Sequence, residues 1–198
     1  MIGWLRGRLA AKMPPTLVID VNGVGYECEA PMSTFFGLPD TGAELTLRTH
    51  LVVREDAHIL YAFATEDERR LFRALLKVSG VGPKIALGVL SGLSVADFLR
   101  VIEQEDTAAL VRIPGVGRKT AERILIDLRD KTGDFGAAGA AFVPQALTGG
   151  ASAHQEATTA LVALGYRPQE VVKLLKAAGD DAETTEELIR RALRAAAS

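Results

Sequence analysis

Cysteine is nearly missing from this chain: Cys28 is the only one in 198 residues. An intramolecular disulfide, a cysteine-rich zinc cluster and a four-cysteine iron–sulfur cluster are all excluded by that scarcity. Histidine is almost as rare, and His50, His58 and His154 are scattered without metal-ligand spacing. No apolar run approaches the ~20 residues of a membrane span. The stretch Met1-Ile2-Gly3-Trp4-Leu5-Arg6 lacks the charged-then-apolar pattern of a signal segment. The expectation is a soluble protein of a reducing cytoplasm, with no membrane partner. A surplus of one charge is also absent, with 23 Lys+Arg against 25 Asp+Glu. Apolar material, in contrast, is ample at 48% with a mean hydropathy of +0.16, which excludes a disordered or collagen-like chain.

The charge balance hides a division along the chain. Residues 1–63 carry 5 basic and 7 acidic side chains, residues 64–133 carry 12 and 10, and residues 134–198 carry 6 and 8. The basic surplus sits in the middle, so the flanks do something other than attract phosphate. Residues 1–63 read as β-structure. Thr16–Val21 and Val24–Cys28 are short β-rich runs joined by Asn22-Gly23, a pair that tolerates the positive φ of a tight hairpin. With Leu45–Arg54, His58–Phe63 and an N-terminal run over Ile2–Ala10, about five strands suit a small closed barrel of OB type.

From Thr65 the pattern becomes helical. Thr65 and Glu68 have capping-box spacing ahead of Leu71, Phe72, Leu75 and Leu76. Residues 134–151 are glycine- and alanine-rich and read as a flexible linker. Three short amphipathic helices are expected over 152–198, their starts marked by Ser152, by Pro168, and by Thr184 with Glu187. So small a tethered module suggests docking on a partner.

The middle segment repeats itself. Leu75–Leu90 aligns without gaps on Leu110–Leu125 at an offset of 35, with seven of sixteen pairs identical and four more conservative. Each copy reads helix, Gly-Val-Gly, helix. The glycines allow a sharp turn that brings peptide N–H groups close to an anion. The second helix of each copy adds the positive end of its dipole. Lys84 and Lys119 stand two residues past the second glycine in both copies, placed to neutralise the same phosphate. This is a helix-hairpin-helix pair, expected to grip a DNA backbone without reading bases.

Other glycine-loop chemistries fail on spacing. A dinucleotide fingerprint needs a third glycine where Ile85 and Thr120 stand, and a P-loop needs Gly-Lys-Ser/Thr, which neither copy has. The second copy also looks like the hairpin of base-excision glycosylases. However, Asp127 and Asp130 read as helical-spacing partners of Arg123 and Lys131, and no catalytic centre emerges. A stand-alone module for duplex or branched DNA, without a motor partner, is the rival reading.

Taken together, a β-barrel, tandem hairpins Gly80-Val81-Gly82-Pro83-Lys84 and Gly115-Val116-Gly117-Arg118-Lys119, and a three-helix tail resemble the RuvA family. The stretches Gly23–Tyr26, Val52–Asp56, Lys119–Arg123 and Ala160–Tyr166 carry the resemblance further. It implies an α+β multidomain fold: an OB-type barrel over 1–63, tandem hairpins over 64–133, a linker over 134–151 and a motor-docking domain over 152–198. It further implies a homotetramer that holds a four-way (Holliday) DNA junction in open square form. RuvB, a hexameric ATPase, is the implied motor, and the RuvC resolvase a further partner. On this resemblance the chain is the non-ATPase subunit, with no cofactor. Carried over residue by residue, the phosphate-gripping positions are Gly80, Val81, Gly82 and Lys84, with Gly115, Gly117, Arg118, Lys119 and Arg123. Glu55 and Asp56 match the acidic pin at the junction centre; Leu161, Leu164, Tyr166 and Leu193 match the apolar surface that docks on the motor.

Overall fold

The computed structural model describes residues 1–129, 153–164, 166–178 and 184–196. They form two compact units, one holding the strands and the first six helices, the other the last three helices.

Five strands make a closed barrel in the order β1-β2-β3-β5-β4. They are β1 (Trp4–Met13), β2 (Thr16–Val21), β3 (Val24–Glu29), β4 (Glu44–Val53) and β5 (His58–Phe63), close to the expected runs. The β2–β3 turn is the Asn-Gly hairpin the sequence predicts, with φ of 53° at Asn22 and 88° at Gly23. Closure depends on β1, whose first half pairs with β4 and whose second half pairs with β2. At the change of partner the Asp20 backbone presses in: a Cβ on Gly7 would stand 2.2 Å from the Asp20 carbonyl oxygen. Only glycine fits there. The barrel interior is Leu5, Leu9, Leu17, Ile19, Cys28, Ala30, Phe35, Leu47, Leu60 and Ala62.

A short helix, α1 (Met32–Phe36), was not legible in the sequence. Five residues hold too little periodicity to read, and tertiary contacts stabilise it. The Met32 N–H donates to Ser91 Oγ at 3.0 Å, and Ser33 and Thr34 donate to the Glu68 carboxylate at 2.5 and 3.3 Å. That carboxylate also accepts from the Thr65 N–H at 3.1 Å while Thr65 Oγ1 accepts from the Glu68 N–H at 3.2 Å, the capping box foreseen at α2 (Glu66–Leu75). A buried charge so fully hydrogen-bonded joins α1, the end of β5 and α2 into one piece.

Helices α3 (Pro83–Gly92), α4 (Val95–Glu103), α5 (Thr107–Val111) and α6 (Arg118–Arg129) complete the first unit. Their shared core runs back onto the barrel: the Phe72 ring lies 4.9 Å from Tyr61 and 5.0 Å from Phe63. Arg69 on α2 donates to the Gly3 and Thr49 carbonyls at 2.6 and 3.1 Å, and Arg73 Nε donates to His50 Nδ1 at 3.2 Å. Aromatic packing and these bonds fix the hairpins against the barrel's β4–β5 end.

In the second unit α7 (Ala153–Ala163), α8 (Pro168–Ala178) and α9 (Thr185–Ala196) enclose Ala157, Leu161, Val171, Leu175, Ala178, Leu188 and Ala192. Pro168 opens α8 and the Thr184 hydroxyl caps α9, both as expected. The linker expected over 134–151 and the Ser152 start signal lie outside the described residues. Among the described residues, no single helix is long and apolar enough to cross a membrane.

Candidate nucleic-acid interface

The two hairpins match bond for bond. In the first, the Val78 N–H donates to Leu75 O at 3.0 Å, Val81 to Val78 O at 3.0 Å, and Ala86 to Gly82 O at 3.0 Å. Thirty-five residues on, Ile113 donates to Leu110 O at 3.1 Å, Val116 to Ile113 O at 3.0 Å, and Ala121 to Gly117 O at 2.9 Å. Gly80 and Gly115 hold the left-handed backbone that makes each turn, at φ of 87° and 86°.

Each turn leads into an open helix entrance. Helices α2, α4 and α5 are capped by the side chains of Thr65, Ser94 and Asp106. Helix α3 has Gly82 at its cap and no side-chain cap, and Gly117 holds the same place before α6. A Cβ at Gly82 or Gly117 would meet nothing within 4 Å. The N–H groups of the first turn precede the first helical bond and face that open space with the dipole's positive end. Two such entrances, each with a lysine beside it, are built to receive anions.

The charged side chains divide by engagement. Lys84 and Lys119 are exposed, and no ion pair holds either among the described residues. Arg118 is as exposed but has its Nε 3.1 Å from Glu122 Oε1. Arg123 Nη1 lies 3.3 Å from Ser79 Oγ and 3.4 Å from Ser79 O. It therefore spans from α6 to the turn of the other hairpin and does not pair down its own helix with Asp127. The second expected pairing, Asp130 with Lys131, lies outside the described residues. The reciprocal contact is made by Gly88, Arg123's counterpart in the repeat, where an added Cβ would lie 3.8 Å from Pro114 O. Each copy leans its second helix on the other's turn.

Val81 corrects the expectation drawn from the resemblance. Its side chain is in the core and its N–H is already spent on Val78 O, so it shapes the turn and offers no donor to a phosphate. Sequence reading passed over Lys77 and Arg112, which are exposed and free of ion pairs among the described residues. The signal was present, because the repeat aligns the two with each other.

Glu55 and Asp56 are exposed at the β4–β5 turn, which is closed by the Arg54 N–H donating to Ala57 O at 2.8 Å. In the second unit, Leu164 is 62% exposed, whereas Tyr166 and Leu193 are half-buried against the core. Leu161 is fully buried there, and its role is packing. Among the described residues no group of three or more His, Cys, Asp or Glu side chains forms a metal site.

Comparison with known proteins covers the chain end to end. Residues 1–62 match the model described as "RuvA N terminal domain", residues 72–130 "SAM-like Helix-hairpin-helix tandem", and residues 152–197 "RuvA, C-terminal domain". A protein of Thioalkalivibrio sulfidiphilus is 52% identical over 204 residues, covering 98% of both chains. One from Pseudomonas putida is 52% identical over 200 residues and one from Nitrosococcus oceani 53% over 196, each with the same 98% coverage. All three carry the name "Holliday junction branch migration complex subunit RuvA".

Proposed function

The chain belongs to the RuvA family, and we propose that it binds four-way DNA junctions as a homotetramer and recruits the hexameric ATPase RuvB to drive branch migration. In this reading it is the non-ATPase subunit and works in the cytoplasm, and RuvC meets the same junction. The work divides as barrel 1–63, hairpins 64–133, linker 134–151 and motor-docking module 152–198.

The observation that supports the reading best is the pair of open, glycine-capped helix entrances repeated at one offset, each with a lysine that has no ion pair among the described residues. Both are shaped for backbone phosphate and not for base edges, so the contact is sequence-independent. One chain holds two entrances, and four chains hold the eight that four duplex arms need. Glu55 and Asp56, on the exposed turn, supply repulsion where strands cross, and Leu164, Tyr166 and Leu193 form the docking face.

A gel-shift comparison of a four-way junction with linear duplex, run beside a native mass measurement, tests this. The expected result is a tetramer that prefers the junction. Lys84→Ala plus Lys119→Ala weakens binding to both DNAs and lowers the salt slope by about one unit for each phosphate no longer neutralised. A monomer, or equal affinity for the two DNAs, overturns the reading.

A further inference from the structure

The first unit also contains a cleft of about 800 Å³ between the open end of the barrel and the first hairpin. Arg54, Glu29, Ile59 and Tyr61 line one side, and Gly82, Pro83, Lys84, Ile85 and Leu87 line the other.

Resting on the junction-binding reading, we propose that Arg54 is a further DNA-contacting residue that determines specificity. It takes the phosphodiester of a strand that leaves the first hairpin and turns inward toward Glu55 and Asp56.

Four observations carry this. Arg54 lines the same cleft as Lys84 and Gly82, so one strand of sugar-phosphate reaches both cations. Arg54 is exposed and has no ion pair among the described residues. Its backbone is fixed, because its N–H closes the turn onto Ala57 O at 2.8 Å and the next two residues are the acidic pair. Finally, the wall is amphipathic. Ile59, Tyr61, Pro83, Ile85 and Leu87 offer apolar surface to a sugar or base face, while Arg54 and Lys84 stand exposed to solvent. Glu29 is the one acid in the lining, against two cations. Burial first, then the Glu29 carboxylate, hold the Tyr61 phenol above its ordinary value, and Arg54 acts against them. These three groups thus share one end of the cleft. A net single positive charge suits the monoanion of a phosphodiester better than the dianion of a free phosphate.

The consequence is discrimination by reach. A linear duplex seated on the hairpins meets Lys84 and Lys119 and continues straight on. Only a strand that bends toward the turn between β4 and β5 passes Arg54. Arg54 then adds affinity for the crossover alone, while Glu55 and Asp56 subtract it from anything lying across the centre.

Fluorescence-anisotropy titrations of the full chain on a four-way junction and on a linear duplex of one arm decide the matter. Arg54→Ala is expected to weaken junction binding by at least about tenfold, with one charge-assisted hydrogen bond lost in each subunit that meets the crossover, and duplex binding by less than about twofold. Arg54→Lys restores part of the loss. As a second measurement, Arg54→Cys is paired with junctions carrying a phosphate tethered to an activated mixed disulfide, at or away from the crossover, which the protein thiolate attacks with release of the small thiol. The one native cysteine, Cys28, is buried with its thiol pushed up to about 12, so the new thiol reacts alone. Cross-linking at the crossover phosphate only is the expected outcome. Equal losses on both DNAs for Arg54→Ala, no loss on either, or cross-linking independent of position overturns the inference. Lys84→Ala is the control: if it weakens neither DNA, the junction-binding reading itself fails, whatever Arg54 does.

Discussion

The two glycines of each hairpin do different work, and alanine tells them apart. At Gly80 and Gly115 the backbone sits at φ of 87° and 86°, while an added Cβ would find only ordinary contacts, Arg123 Nη1 at 3.8 Å and Ile85 Cγ1 at 3.7 Å. The penalty is therefore conformational, about 1–2 kcal/mol for an L-residue in the left-handed region. A stiffer unfolded chain returns about 0.4–1 kcal/mol, leaving a net loss near 1 kcal/mol and a fall of a few degrees in Tm. Gly82 has φ of −94° and ψ of 174°, and neither it nor Gly117 has a neighbour within 4 Å of the would-be Cβ. Alanine is a poorer cap than glycine by up to about 1 kcal/mol, and the unfolded-state gain offsets it, so stability stays nearly constant. Binding does not. The methyl occupies the space through which a phosphate oxygen approaches the first-turn N–H groups. Loss of one charge-assisted hydrogen bond, about 1.5–3 kcal/mol at each altered entrance, weakens junction binding by at least about ten- to hundredfold, since the tetramer carries the substitution four times. Thermal unfolding by circular dichroism and anisotropy on a labelled junction read the two effects separately. Gly82→Ala and Gly117→Ala proteins that fold normally and bind like the parent would refute the approach argument. An unchanged Tm for Gly80→Ala would refute the conformational one.

Glu55→Gln with Asp56→Asn should raise affinity for linear duplex more than for the junction, most at low salt, and an unchanged ratio in titrations leaves the pair as ordinary turn residues. Leu164→Ala with Tyr166→Ala should abolish junction-dependent stimulation of the partner ATPase while junction binding persists. By contrast, Leu161→Ala should cost about 2–5 kcal/mol and unfold the second unit, seen as lost helicity. His50 is held below the ordinary histidine value by burial first, then by Arg73 and Arg69. The neutral ring accepts the Arg73 N–H, so the unfolded chain binds the proton more readily. Stability is then fully present above about pH 6.5 and declines as pH falls below it, and His50→Gln should flatten that slope in denaturant titrations.

The strands, the Asn22-Gly23 turn, the Thr65–Glu68 capping box, the tandem repeat and the helix starts at Pro168 and Thr184 were all legible in the residues. Each depends on contacts within a few positions of chain, where side-chain period and backbone preference suffice. So was the alignment of Lys77 with Arg112, although nothing in it said that both are exposed. What lay beyond reach was whatever required distant segments to meet. Helix α1 exists because Glu68 and Ser91, more than thirty residues away, hold its start. Arg123 was read as pairing with Asp127 on its own helix, and its actual neighbour, Ser79, lies across the fold. Leu161 and Leu164 are equally apolar in the chain, yet three-helix packing buries the first and leaves the second in water. The cleft shared by Arg54 and Lys84 forms only when the barrel closes and Phe72 seats against Tyr61 and Phe63. Local chemistry specifies elements and turns because its range is one or two turns of backbone. Which side chains share a surface is set by packing, and packing is a property of the whole closed core.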